Sequence, residues 1–285
     1  MAILSDTDIR NELGINIFIY PFHEGNLKGA SYNLTPSKLA WKLSNGTKIY
    51  NEQLNKIIIP VGETALIETC ETIWISKKIS GTYHSRVTQV SQGTGHIGTT
   101  LDPNYIGPSL MAVHNHSNTP VELIPDKTQF ITLVFQYVQT ESSREQHGNS
   151  HGRKDILSEV GIRLSAEDVA ALDQPYMINP EILKQKLEEC PDYQKIKKER
   201  EEEAKRLEIE RANKAKNYFS RNLYMIFVGS ILVVVLFSVY LQSNQKQLGN
   251  KPWYPPINSF VNTVIPVLSS ALTALITVDL TRKMQ

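Results

Sequence analysis

The stretch Gly81–Gly107, GTYHSRVTQVSQGTGHIGTTLDPNYIG, gathers Gly, Ser, Thr and His around one Arg and one Asp. Few of these side chains can fill a core. Glycine lets a backbone approach a ligand closely. Ser85, Arg86 and neighbouring backbone N–H groups are the donors that a phosphate needs. Asp102 is the one carboxylate of the stretch, and the ring of Tyr105 can stack on a sugar or a base. Gln89, Gly98 and Gly107 complete the candidate nucleotide-binding set. The competing reading is a run of β-turns with a solvated Arg–Asp pair, and residue types alone leave both open.

The surrounding chain is patterned to hold such loops on strands. Asn16–Tyr20, Lys56–Pro60, Ala65–Thr69, Thr72–Ser76 and Phe130–Phe135 are short runs rich in β-branched and aromatic residues. Gly, Asn, Asp and Pro interrupt them, and Asn45-Gly46 reads as a hairpin turn. Asp6–Leu13 reads as one short helix. The pattern predicts a mainly β domain, a compact barrel or sandwich of many short strands. His114 and His116 share a strand face, but no further ligands complete a metal site. Trp41 and Trp74 read as core or interface aromatics rather than base platforms.

The spacing Asp102-x-x-Tyr105-x-Gly107, led in by Gly98-Thr-Thr-Leu101, resembles the nucleotide-site motif of the dUTPase / dCTP deaminase superfamily. Ser5-Asp-x-Asp8-Ile9-Arg10, Pro21-Phe22 and Ala30-Ser-Tyr32-Asn33-Leu34-Thr35 are similar to the opening of dCTP deaminases. Val121–Pro125 and Leu133–Phe135 resemble the last barrel strands. The resemblance runs from about Met1 to Thr140. It implies a jelly-roll-like β-barrel, a trimer, and Asp102 in the place that orients the attacking water in dUTPases. Mg2+ would accompany a bound triphosphate. The departures fall on the chemistry. The catalytic Glu of the deaminases, ten residues after the motif Asp, is replaced by Ala112, which has no proton to move. The phosphate-side Arg-Ser-Ser and later Arg become His84-Ser85-Arg86 and Gln89. Ser85 carries over, and Arg86 is placed to compensate for the lost arginines. The glycine-rich C-terminal arm of dUTPases has no counterpart.

A formal net charge of +1 over 285 residues gives no global pull toward DNA. Cys70 and Cys190 are isolated, which argues against zinc and suits a reducing compartment. The start MAILSDTDIR lacks the apolar segment of a signal peptide. After the barrel of residues 1–140, residues 141–179 read as a polar loop and a short helix. The loop carries Arg144, His147, His151 and Arg153, either as a lid over phosphates or as a disordered connector. Ser165-Ala-Glu-Asp168 reads as a helix cap. Residues 180–222 read as a charged helical stalk, interrupted or restarted at Pro191, with too few apolar positions for a heptad seam.

Residues 223–241 carry no charge and match the thickness of a bilayer core. Residues 260–278 read as a second, more polar span. The loop 242–259 holds only Lys246 and Lys251, whereas basic residues crowd before the first span and at Arg282-Lys283 in the tail 279–285. Both termini are therefore expected in the cytoplasm, with the chain crossing the inner (plasma) membrane twice. Trp253 and Tyr254 fall where an interfacial aromatic belt would place them. Asn262, Pro266, Ser269, Ser270, Thr273 and Thr277 share one face of the second span. That face glues helices together, lines a watery path, or simply bonds its own backbone.

Together these parts suggest a receptor: a cytosolic barrel that reads a nucleotide, with a cyclic oligonucleotide among the candidates, and controls a membrane-disrupting or pore-forming hairpin without deaminating anything. Its layout is similar to bacterial anti-phage membrane effectors, an architectural analogy only. The alternatives are a membrane-tethered nucleotide pyrophosphohydrolase using Asp102, and an inert oligomerisation head.

Overall fold

A computed structural model describes residues 2–96, 98–143 and 151–283. Arg144 and His147 lie outside the described residues, as does the side chain of His151. The chain divides into two compact units, Met1–Glu201 and Glu202–Gln285.

The first unit is antiparallel β, as the short-strand pattern predicts. One sheet has the order 100–101, 79–85, 131–137, 31–34, 27–28, with Ala2–Ile3 added along 131–137. A second has the order 94–95, 106–115, 64–75, 17–20, with Pro36–Lys42 also pairing with Thr64–Ile75. A three-stranded sheet is formed by 121–123, 56–59 and 50–51. Alternation explains the arrangement. In Ile131–Tyr137, the side chains of Ile131, Leu133 and Phe135 are buried and those between them less so. The inward faces form one core containing Ile19, Tyr32, Ile67, Ile73, Leu133 and Phe135.

Local signals hold as well. Ser5 and Asp8 form a capping box on the helix Asp6–Glu12, and Ser165 and Asp168 do so on Ala166–Leu172. Gly46 takes φ +69° in the turn after Asn45. Trp41 is buried and Trp74 packs against Phe18 at 4.4 Å.

Two expectations need correction. The stalk does not begin at 180. Leu183 and Leu187 of the helix Pro180–Glu188, then Tyr193 and Ile196, are buried in the barrel core. Glu24 N–H donates to Asp192 at 2.9 Å and Arg200 to the Asn11 carbonyl at 3.1 Å. Residues 180–201 thus belong to the first unit. Pro191 does restart the helix: Pro191–Ser243 is one element of 53 residues. Residues 151–172 are also ordered onto the barrel, where Leu157, Ile162 and Leu172 join Leu39, Trp41 and Leu66 in a second apolar cluster.

In the second unit, Met225–Ser243 is the one helix among the described residues found long and apolar enough to cross a membrane, and little of it is buried. The helix Tyr254–Lys283 follows and includes residues 260–278, expected as a second span but not found long and apolar enough among the described residues. Leu241, Tyr254 and Val261 pack together at the joined ends of the two helices. Tyr254 is buried in this cluster, and its hydroxyl donates to the Leu241 carbonyl at 3.0 Å. Ser269, Ser270, Thr273 and Thr277 donate to carbonyls three or four residues back in their own helix, so these hydroxyls need no outside partner.

Candidate functional site

Ser85 ends the strand Ile79–Ser85, and a turn of helix, Val87–Val90, follows. The strand's pairing with Ile131–Tyr137 and the return of the chain at Thr94–Gly95 bring a second polar group to Ser85. The Ser85 hydroxyl lies 2.8 Å from His96 Nδ1 and accepts the His96 backbone N–H at 3.1 Å. Both line a small crevice together with Gln89, Thr94, Gly95 and the apolar side chains of Val113, Leu123, Phe130 and Ile131. Its free space is about that of one water molecule.

The crevice contains no carboxylate among its lining residues. Burial, reinforced by neighbouring His84 and His114, lowers the pKa of His96 and favours the neutral ring. Its buried Nε2 has no hydrogen-bond partner among the described residues. Thr94 donates to the Gln89 carbonyl at 2.8 Å, fixing the helical turn against the strand. The Arg86 guanidinium donates to the Gln129 carbonyl and is not among the residues that line the crevice.

The other nominated residues lie elsewhere on the barrel. Thr100 and Leu101 pair with Thr82 and Gly81. Asp102 is therefore level with Ser80, five residues and roughly 17 Å from Ser85 along the strand at ~3.4 Å per residue. Asp102 is exposed and accepts from Thr100 Oγ1 at 3.3 Å. A side chain at Gly98 would meet the Tyr83 carbonyl at 2.8 Å, so this glycine permits close backbone approach within the barrel, outside the crevice. Tyr105 is only partly exposed, and its hydroxyl points inward to the Pro108 carbonyl. That placement corrects the expectation of a ring free to stack. Gly107 has φ +140°, and a Cβ there would sit 3.3 Å from the Tyr105 hydroxyl. One chain thus holds these residues in two separate groups: Ser85 with Gln89 and His96 at the crevice, and Asp102 with Tyr105 and Gly107 away from it.

Ala112 lies opposite Leu66 and packs with the second apolar cluster. It lines no part of the crevice. His114 and His116 stack at 5.8 Å, and His114 Nδ1 is 2.8 Å from Thr64 Oγ1. No group of three or more metal-ligating side chains occurs among the described residues. Arg153, read either as part of a lid over phosphates or of a disordered connector, pairs with Asp155 at 3.2 Å.

His96, Thr94 and Gly95 were not among the nominated residues. The available signal was a histidine inside the glycine-rich stretch. Its meeting with Ser85 depends on sheet pairing, which local sequence does not display.

Residues 3–138 match the family model described as dCTP deaminase-like. A dCTP deaminase of Pyrococcus horikoshii is 31% identical over 155 residues, covering 54% of this chain and 95% of that protein. A dCTP deaminase of Thermococcus sibiricus is 30% identical over 162 residues, covering 56% and 99%. Among solved structures, a 2'-deoxycytidine 5'-triphosphate deaminase from Agrobacterium tumefaciens aligns with TM-score 0.39 at 12% identity over 48% of each chain. The native EIAV dUTPase aligns with TM-score 0.33 at 18% identity, covering 47% of this chain and 98% of its own.

Proposed function

The chain belongs to the dCTP deaminase-like family, and on that premise we propose that its barrel binds a nucleotide without deaminating it. The observation that carries this reading is the missing acid. Ala112 stands where the resemblance expects the catalytic Glu, and it faces an apolar cluster. The crevice offers only Ser85, Gln89, Thr94 and a His96 held toward neutrality as polar side chains. Such groups bind and orient; none supplies a carboxyl for proton transfer to a base.

The two groups are half-sites completed by a second copy of the chain in a homo-oligomer, with Asp102, Tyr105 and Gly107 of one copy meeting Ser85, Arg86 and Gln89 of the next. Val87 and Val90, apolar and exposed beside Ser85, support an interface there. Arg86 takes up phosphate by exchanging its Gln129 carbonyl for a stronger, charge-assisted acceptor.

The membrane half of the proposal rests on the exposed apolar helix Met225–Ser243. This helix and the one after it cross the inner membrane as a hairpin, with both termini cytoplasmic. Nucleotide occupancy governs whether the hairpin disrupts the bilayer, as in a defence effector. The ligand can do so only through unequal affinity for two states of the protein.

A second reading, nucleotide pyrophosphohydrolysis, is favoured by one observation: Asp102, which the family resemblance puts at the water-orienting position, is exposed. Mg2+ would then accompany the triphosphate. Incubating the purified full chain with dCTP and dUTP separates the readings. Saturable binding with no uracil product and no pyrophosphate is the expected result. Pyrophosphate release that Asp102→Asn abolishes establishes the hydrolase, and absence of any binding leaves an inert head.

A further inference from the structure

Glu68 lies in Thr64–Ile75, opposite Leu110. It is fully buried, and neither carboxyl oxygen has a hydrogen-bond partner among the described residues. On the same strand, Thr72 is fully buried, and its hydroxyl has no hydrogen-bond partner among the described residues. A protein interior rarely leaves such groups unmatched without a use for them. Burial pushes the Glu68 pKa well up, against a smaller opposing pull from Arg153. The neutral acid has one O–H donor beside one C=O acceptor.

What covers Glu68 is separable from the main core. Gly152, at φ +61°, presses its backbone onto the carboxyl: a Cβ there would lie 3.3 Å from Glu68 Oε1 and 2.4 Å from Leu172 Cδ2. Arg153 follows in the left-handed region at φ +48°, a costly conformation for a side chain with a Cβ. Helices Lys154–Glu159 and Ala166–Leu172 then lie over Leu66 and Ala112 through the second, smaller apolar cluster. This cover lies after residues 3–138, the part matched by the family model. Beneath it, Gly152 N would be 3.8 Å from a Cβ at Gly107, so Glu68 adjoins the half-site of Tyr105 and Gly107.

We propose that Glu68 is the base-reading group of a pocket that opens when residues 152–172 move aside, and that it pairs with a nucleobase edge carrying a donor next to an acceptor. The inference rests on the nucleotide reading above and deepens it. Ser85, Gln89 and His96 of a neighbouring copy hold the phosphate end; Glu68 takes the base through two parallel hydrogen bonds. Displacement of the cover by the ligand also gives the occupied and empty states a physical difference.

The test uses the full chain in detergent micelles, titrated with CTP and UTP and with their N3-methylated analogues, which block that edge. Methylation should weaken binding at least about tenfold in the native protein. It should make no difference in Glu68→Leu, which remains folded because an unpaired buried acid has been removed. Glu68→Gln, whose amide keeps a donor and an acceptor, should bind within a few-fold of native. Hydrogen exchange across residues 154–172 should quicken with nucleotide. An equal methyl effect in native and Glu68→Leu proteins refutes this inference alone, as does binding with unchanged exchange over the cover. Absence of binding by any nucleotide refutes the nucleotide reading and this inference with it.

Discussion

Glu71 offers a quantitative check on the buried polar architecture of the barrel. It is fully buried, and its carboxyl accepts the Thr35 backbone N–H and the Thr35 hydroxyl, each at 2.9 Å. Burial outweighs those hydrogen bonds and raises its pKa from 4.5 to about 7. The folded state then holds the proton more tightly than the unfolded state does. Its contribution is fully present below pH 4.5, falls as pH rises, and is lost above about pH 7. At 1.36 kcal/mol per unit, that interval amounts to about 3 kcal/mol. For a unit of roughly two hundred residues this is about 6–12 °C in Tm. Glu71→Gln keeps the shape and one acceptor for Thr35 but cannot ionise. The assay is the barrel's thermal transition in the full chain, followed from pH 4.5 to 8 in both proteins. Glu68 is common to both and drops out of the difference. Subtracting the variant's Tm from the native one should give a value that declines by about 6–12 °C and levels off near pH 7. Parallel profiles, or a decline confined above pH 7, would refute the reasoning.

Three further outcomes follow from specific contacts. Gly14→Ala places a Cβ 2.0 Å from the Tyr193 hydroxyl at φ +81°; it should destabilise the first unit by at least about 1 kcal/mol, read as a lower Tm, with faster hydrogen exchange around Tyr193. Ala112→Glu restores the family's residue type in an apolar setting beside Leu66; it should lower stability by about 2 kcal/mol or more without producing deamination, measured by melting and by product analysis. Val233→Asp, in the middle of the exposed apolar helix, should cost about 2.5–3.5 kcal/mol of insertion, seen as a larger carbonate-extractable fraction.

The strands were legible because alternation is local: Ile131, Leu133 and Phe135 face inward whatever the rest of the chain does. Capping boxes at Ser5 and Ser165 were legible for the same reason. The candidate site was legible only in part. Ser85 and Gln89 share a crevice, but His96 joins them through long-range pairing, and Asp102 is carried away by the register of Thr100 with Thr82. The docked helix 180–188 was missed because Glu and Lys dominate its composition. Its apolar stripe is only Leu183 and Leu187, one turn apart on one face, and Cys190, Tyr193 and Ile196 reach the same core after the helix has ended. The hydrogen bond of Tyr254 to the Leu241 carbonyl depends on the turn between the helices, which local sequence does not display.

The central claim is that a nucleotide bound in water governs apolar helices in a bilayer. Its most direct test is dye release from proteoliposomes holding the full chain, with dCTP, dUTP and cyclic dinucleotides added to the barrel side. The account predicts that release changes severalfold or more with a nucleotide that binds, and that native protein leaves that nucleotide chemically intact. Release that stays the same with and without a bound nucleotide would contradict it.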